Sequence, residues 1–262
     1  MKKTVAKILL VVFIVSSLGA SVQNKKNTPG YYQVILYNFS TADQQITLHD
    51  YLKNAYLPAL HSQQISNIGV FTPITNDTVA NKRLYVIIPL KSFEQAATLA
   101  DKITNDRQYQ ANAKTYLEAA YTNPPYTRME KILLEQFSMA PFFNLPKLKN
   151  SSADKIYELR SYESATENIF ANKVEMFNEG GEIKIFDKLN FNTVFYAKVI
   201  AGSRMPNLMY MTSFENMNDR DEHWKNFVAS EEWKKLSAMP YYQNNVSKID
   251  ITLMKATEYA DY

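Results

Sequence analysis

Cysteine is absent from this chain of 262 residues. No disulfide framework, thiolate nucleophile or thiolate metal site is therefore available, and a lipid-modified cysteine behind an N-terminal apolar run is excluded as well. Glycine is scarce, at six residues. No phosphate-cradling glycine loop or nucleophile elbow occurs, and Gly180-Gly181 in "GGEIKIF" lacks the preceding strand that a phosphate loop needs. A strong excess of charge is missing too: the net charge is +3, and no Lys/Arg cluster is interleaved with aromatics, which excludes the footprint of a nucleic-acid binder. The N-terminal apolar run, Ile8 to Val15, falls well short of the ~20 residues that cross a bilayer.

What is present begins with that N-terminus. Lys2, Lys3 and Lys7 precede the apolar run, and Ser16, Ser17, Gly19, Ala20 and Ser21 follow it. This order predicts a secretory signal peptide over residues 1–22 and an exported protein, periplasmic or secreted, with no stable membrane span after cleavage. Apolar residues make up 46% of the chain, enough for one large domain or two small ones.

The chain then repeats itself. "YQVILY" (Tyr32 to Tyr37) lies on "YELRSY" (Tyr157 to Tyr162), Val70-Phe71 on Val194-Phe195, and Leu84 on Leu208, all about 125 residues apart. Each copy opens with a strand and continues into an interrupted helix, broken near Pro58 in the first copy and at Gly180-Gly181 in the second. In the second copy Phe170, Val174 and Phe177 make the apolar stripe of that helix. Two strands joined by a turn follow, then a second helical region, predicted in the second copy to start at Asn218 and to restart at Ser230, and then a closing strand. The order β-α-β-β-α-β is ferredoxin-like. The reading is α+β: two ferredoxin-like repeats with antiparallel sheets, at 30–143 and 155–262, joined by a linker at 144–154.

The second copy, with "YELRSYES", "GGEIKIFDKLNF", "LMYMTSFENMNDRDEHWKNF" and "SEEWKKL", resembles the NIPSNAP domain of the dimeric α/β-barrel superfamily, from about Lys155 to Met254. The first copy lacks the strand arginine and the tryptophans. The resemblance implies two four-stranded sheets facing each other in a barrel, here closed within one chain.

Alternation along the first strand of the second copy separates Tyr157, Leu159 and Ser161 from Glu158, Arg160 and Tyr162. With Leu159 assigned to the helices, Glu158, Arg160 and Tyr162 are expected between the sheets, opposite Gln33, Ile35 and Tyr37. A buried arginine needs partners. Arg160 either holds an anionic or carbonyl group of a ligand beside Tyr162, with Tyr37 and His223 as further candidates, or pairs with Glu158 and orders the sheet. The histidines, His49, His61 and His223, show no metal-ligand spacing. The functional expectation is a binding or interaction module for a small molecule, with no cofactor and no metal, and with further assembly through sheet or helix faces left open. The alternative is a cofactor-free monooxygenase or isomerase, or a haem-binding enzyme, as in other branches of the superfamily.

Overall fold

The structure, a computed structural model, describes residues 30–141, 143–151 and 153–262; the predicted signal peptide lies outside them. The first copy comprises β1 (Tyr31–Phe39), α1 (Ala42–Tyr51), α2 (Leu57–Ser62), β2 (Gly69–Pro73), β3 (Lys82–Leu90), α3 (Phe93–Thr104), α4 (Arg107–Asn112), α5 (Lys114–Leu117) and β4 (Arg128–Gln136). The second comprises β5 (Ile156–Glu163), α6 (Glu167–Phe177), α7 (Glu182–Lys188), β6 (Asn192–Ala201), β7 (Asn207–Phe214), α8 (Met217–Ala229), α9 (Glu231–Ser237) and β8 (Lys248–Ala256). Both helical interruptions exist, each with its own cause. In the first copy a π-helical turn, Leu52–Tyr56, joins α1 to α2 just before Pro58. Proline lacks an N–H and crowds the carbonyl four residues back, and a widened turn relieves both. That carbonyl, on Asn54, accepts instead from the Asn112 side chain at 3.0 Å. In the second copy Gly181 adopts φ +92°, and a Cβ on Gly180 would stand 2.6 Å from the carbonyl oxygen of Met176, so the break requires both glycines.

Helix α8 starts two residues earlier than the sequence suggests. Its cap is Asn216, whose side chain accepts from the Asp219 N–H at 3.0 Å, while Asp219 accepts from the N–H of Glu215 at 2.9 Å. This reciprocal pair satisfies two donors at the helix start, which Asn218 is not placed to do.

Each copy forms an antiparallel sheet, ordered β4-β1-β3-β2 and β6-β7-β5-β8, and the two join at both edges into a closed eight-stranded barrel. One seam pairs Phe71 with Ala256 through Pro73 with Met254; the other pairs β4 with β6 from Leu133 to Gln136. Closure leaves no unpaired edge.

Three buried clusters result: one under the helices of each copy and one inside the barrel. Inside, repeat-equivalent residues exchange partners. Tyr32 meets Phe195 at 4.6 Å between ring centroids, and its counterpart Tyr157 meets Phe71, the counterpart of Phe195, at 4.9 Å. Such reciprocity is the signature of an isologous interface, here inside one chain. The connection between copies contributes to this core, since Phe143 packs on Tyr32 and Tyr262.

After β8 the chain crosses back to the first copy. Asp261 bonds both backbone groups of Ile68, at 2.8 and 3.0 Å, and the Tyr262 ring lies against Phe71 and Tyr157 in one end of the barrel. His49, on α1, shares a 2.7 Å hydrogen bond with the hydroxyl of Tyr259. No helix among the described residues is long and apolar enough to cross a membrane.

Three outcomes are expected. Truncating Phe195 to Ala, which is 2% exposed, should cost about 3–5 kcal/mol in denaturant unfolding. Fluorescence of the two tryptophans, both in the second copy, should unfold coincidentally with far-ultraviolet circular dichroism from the whole chain; separated transitions would mean the barrel does not couple the copies. Burial pulls the pKa of His49 below its usual value. Its contribution to stability is therefore complete above the unfolded value of about 6.5 and is lost as pH falls below it, and His49→Gln should flatten that part of the pH–stability curve.

Candidate functional site

The strand β5 places Glu158, Arg160 and Tyr162 on its outer face, beneath the helices of the second copy, while Tyr157 and Leu159 point into the barrel. The expected sidedness is thus reversed. Every residue of β5 except Arg160 and Glu163 is buried, so both faces are covered and the apolar character of Leu159 carries no information about which face meets the helices.

Glu158 is fully buried and sits at the centre of a charged network. One carboxylate oxygen accepts from Arg160 Nε at 2.5 Å; the other accepts from Arg220 Nε at 2.7 Å and from the indole N–H of Trp224 at 2.9 Å. Arg220 and Trp224 lie four residues apart on α8, the spacing that brings both side chains over one spot on the sheet. The Arg160 guanidinium stacks on the Trp224 ring, 3.6 Å from its centroid, and donates through Nη1 to the Tyr162 hydroxyl at 3.0 Å. Tyr162 in turn lies 2.9 Å from the hydroxyl of Tyr210, the cross-strand partner of Arg160. A second buried pair, Lys173 with Glu182 at 2.8 Å, clasps α6 to α7 across the Gly180-Gly181 break.

Burial and neighbouring groups act on Arg160 and Tyr210 in particular. Burial works against the charge on Arg160, yet Tyr210, Tyr162 and Glu158 outweigh it and lift its pKa above the usual arginine value. Burial pushes the Tyr210 phenol far above its ordinary range, with Tyr162 adding to the effect. Tyr210 is accordingly a hydrogen-bonding phenol and not a base near neutral pH.

Above the network lies a cavity of about 440 Å³, within the usual size of small-molecule sites. Arg160, Tyr162, Lys173, Glu182 and Tyr210 are among its polar lining residues, and Trp224, Phe227, Trp233, Tyr242 and Val246 are among its apolar and aromatic ones. The matching space in the first copy is about 180 Å³. There Gln33, Ile35 and Tyr37 occupy the equivalent strand positions, and Tyr51, Tyr109 and Tyr116 fill the volume, with Tyr51 and Tyr116 stacked at 3.7 Å.

Of the residues singled out from sequence, Glu158, Arg160 and Tyr162 come together, with Glu158 beneath the cavity floor rather than in its lining. Tyr37 lies under the helices of the first copy, in a separate cluster. His223 does not face the cavity: its Nδ1 is 2.8 Å from the Asp219 carbonyl, and its ring packs on Phe191 and Phe214. His49 and His61 face the C-terminal segment. Among the described residues no group of three His, Asp or Glu side chains is placed to hold a metal ion. Sequence reasoning passed over Arg220, Trp224, Lys173 and Glu182. The available signal was an acid on a strand together with Arg and Trp at helical spacing in a following amphipathic helix.

Closed eight-stranded sheet, external helices and duplicated halves define a dimeric α/β barrel built within one chain. The NIPSNAP family model matches residues 157–261, which is the second copy. Among solved structures, a candidate monooxygenase from Lactobacillus acidophilus NCFM aligns over 87% of this chain and 94% of its own at 10% identity, with a TM-score of 0.56. A second candidate monooxygenase, from Fusobacterium nucleatum subsp. nucleatum ATCC 25586, aligns over 87% and 93% at 7% identity and a TM-score of 0.54. An anthrone oxidase-like protein aligns over 88% and 93% at 10% identity and a TM-score of 0.52. These likenesses extend across both copies and concern the fold. No curated protein sequence matches the chain.

Removing Glu158 should be far more damaging than removing Arg160. Glu158→Ala leaves two arginines facing each other without their carboxylate and is expected to cost about 3–5 kcal/mol in urea unfolding. Arg160→Gln leaves Glu158 paired with Arg220 and Trp224, and its cost should be clearly smaller; equal losses would contradict this reading of the network.

Proposed function

We propose that the chain is a small-molecule binding module whose site is the cavity of the second copy, and that its ligand is a flat, largely apolar compound carrying a carbonyl or carboxylate oxygen. The carrying observation is the contrast between the copies: about 440 Å³ floored by Arg160 in one, about 180 Å³ floored by Ile35 and packed with tyrosines in the other. Arg160 uses Nε and Nη1 within the protein and lines the cavity, so Nη2 can serve an acceptor oxygen of the ligand. Trp224, Phe227 and Trp233 offer aromatic surface for the flat body. Tyr210 supplies a neutral phenol within the same hydrogen-bonded chain, a donor suited to orienting the ligand rather than abstracting its proton. Burial keeps the Tyr210 phenol protonated, which favours binding over the monooxygenase or isomerase alternative. The haem-binding version has no histidine among the described residues of the cavity to ligate iron, since His223 is turned onto Phe191 and Phe214. We further propose that the protein acts outside the cytoplasm, on the strength of the basic, apolar and small-residue order of its first 22 residues. N-terminal sequencing of the cell-produced protein should find a start near residue 23.

Calorimetric titration with 2-naphthoate tests the site. The wild-type protein is expected to bind it saturably. Arg160→Gln should weaken binding about tenfold or more, in line with the ~1.5–3 kcal/mol carried by a hydrogen bond to a charged group, while the melting profile stays cooperative. A folded Arg160→Gln variant that binds as tightly as wild type would overturn the assignment.

A further inference from the structure

A second cavity, of about 540 Å³, opens at the end of the barrel opposite Tyr262. Both copies build it. Val34 and Leu36 of β1, Ile132 of β4, Leu159 of β5 and Met209 of β7 form aliphatic walls, and Tyr85 stands among them. The loops that follow β2 and β6 frame its mouth through Val79, Asn81, Ser203 and Arg204. Further along the barrel interior lie the aromatic pairs Tyr32 with Phe195 and Phe71 with Tyr157, all four buried.

The mouth carries two arginines, Arg83 and Arg204, and two acids, Glu130 and Asp250. Arg204 pairs with Asp250 and, at 3.4 Å, with Glu163, and its Nη2 donates to Ser161 at 3.1 Å. Glu130 accepts from the hydroxyl of Ser203. Arg83 is different. The Arg83 guanidinium donates to the Tyr85 hydroxyl at 3.1 Å. Its backbone is fixed by the Asn76 side chain, which accepts from the Arg83 N–H at 3.1 Å and donates to its carbonyl at 2.7 Å. The side chain follows the inward parity of Tyr85 and Ile87 along β3. An anchored guanidinium without an ionic partner among the described residues, at the rim of a cavity with aliphatic walls, matches a molecule with a carboxylate at one end and a hydrocarbon chain at the other.

We propose that the barrel mouth is a second ligand site, distinct from the cavity under α8, and that it takes a straight-chain aliphatic carboxylate with its head on Arg83 and its chain against Val34, Ile132, Leu159 and Met209. Methionine suits such a wall because its flexible thioether adapts to chain shape. The flat ligand proposed for the other cavity has no part in this assignment.

The two cavities contain different methionines, Met209 in the barrel and Met176 under the helices. Nuclear magnetic resonance of isotope-labelled methionine methyl groups, with decanoate titrated below its micellar concentration, therefore reads them separately. Decanoate is expected to shift the Met209 methyl saturably and leave Met176 in place. Arg83→Gln should weaken this binding at least tenfold with no change in melting temperature, whereas Arg160→Gln should leave it unaltered. Decanol, with the same chain and no charge, should bind wild type more weakly than decanoate does. That comparison needs no variant, so it stands even if Arg83→Gln folds poorly. A Met209 signal that stays still, equal affinity for decanol and decanoate, or a folded Arg83→Gln variant that binds decanoate as wild type does would each overturn the proposal.

Discussion

Two tyrosines and two phenylalanines inside the barrel hold the molecule's halves in register: Tyr32 on Phe195, and Tyr157 on Phe71. Each pair joins the first strand of one copy to the second strand of the other. A ferredoxin-like sheet covered by helices on one face leaves its other face and two edges exposed, and in both copies that other face is apolar. Joining two copies buries both open faces in one aromatic and aliphatic core and pairs all the edges. Covalent linkage makes the association intramolecular, so it does not depend on concentration. The segment after β8 strengthens the same contact, since it bonds to Ile68 and inserts Tyr262 beside Phe71 and Tyr157.

With the barrel closed by both copies, only one copy needs an open cavity beneath its helices. The first copy packs its space with tyrosines, which bury large rings while their hydroxyls find one another, as Tyr51 and Tyr109 do at 3.0 Å. The second spends its equivalent volume differently. Burying Arg160 and Arg220 around Glu158 carries a large desolvation cost, which the network offsets by satisfying the carboxylate with two guanidinium groups and an indole N–H. Hydrophobic side chains of similar volume would serve stability as well or better. A fixed guanidinium aimed into an aromatic cavity is what the charged solution adds.

The order of elements and the internal repeat were legible because they rest on local pattern: strand alternation, apolar stripes and helix breakers. The breaks near Pro58 and at Gly180-Gly181 were readable for the same reason, although the first is a π-helical turn that the sequence does not announce. Sidedness was not legible. In β5 six of the eight residues are buried, with both faces covered, so polarity no longer distinguishes inside from outside, and Leu159 points into the barrel. The repeat itself held the missing clue, because Tyr157 must share the environment of Tyr32. The site was half visible. Glu158, Arg160 and Tyr162 are neighbours along one strand face, but Arg220 and Trp224 reach them only through tertiary packing of α8, and Tyr37 and His223 have other surroundings.

The central claim is that a barrel shared by both copies supports a ligand cavity in the second copy alone, with Arg160 at its floor. Both tryptophans line that cavity, and neither lies in the first copy, so their indole N–H resonances report on it directly. Recording these two signals during addition of 2-naphthoate is the most direct test. The account expects both to move along one saturation curve in the wild-type protein and to need much higher concentrations in Arg160→Gln. Indole signals that stay fixed while the ligand binds, or that move identically in the folded variant, would contradict it.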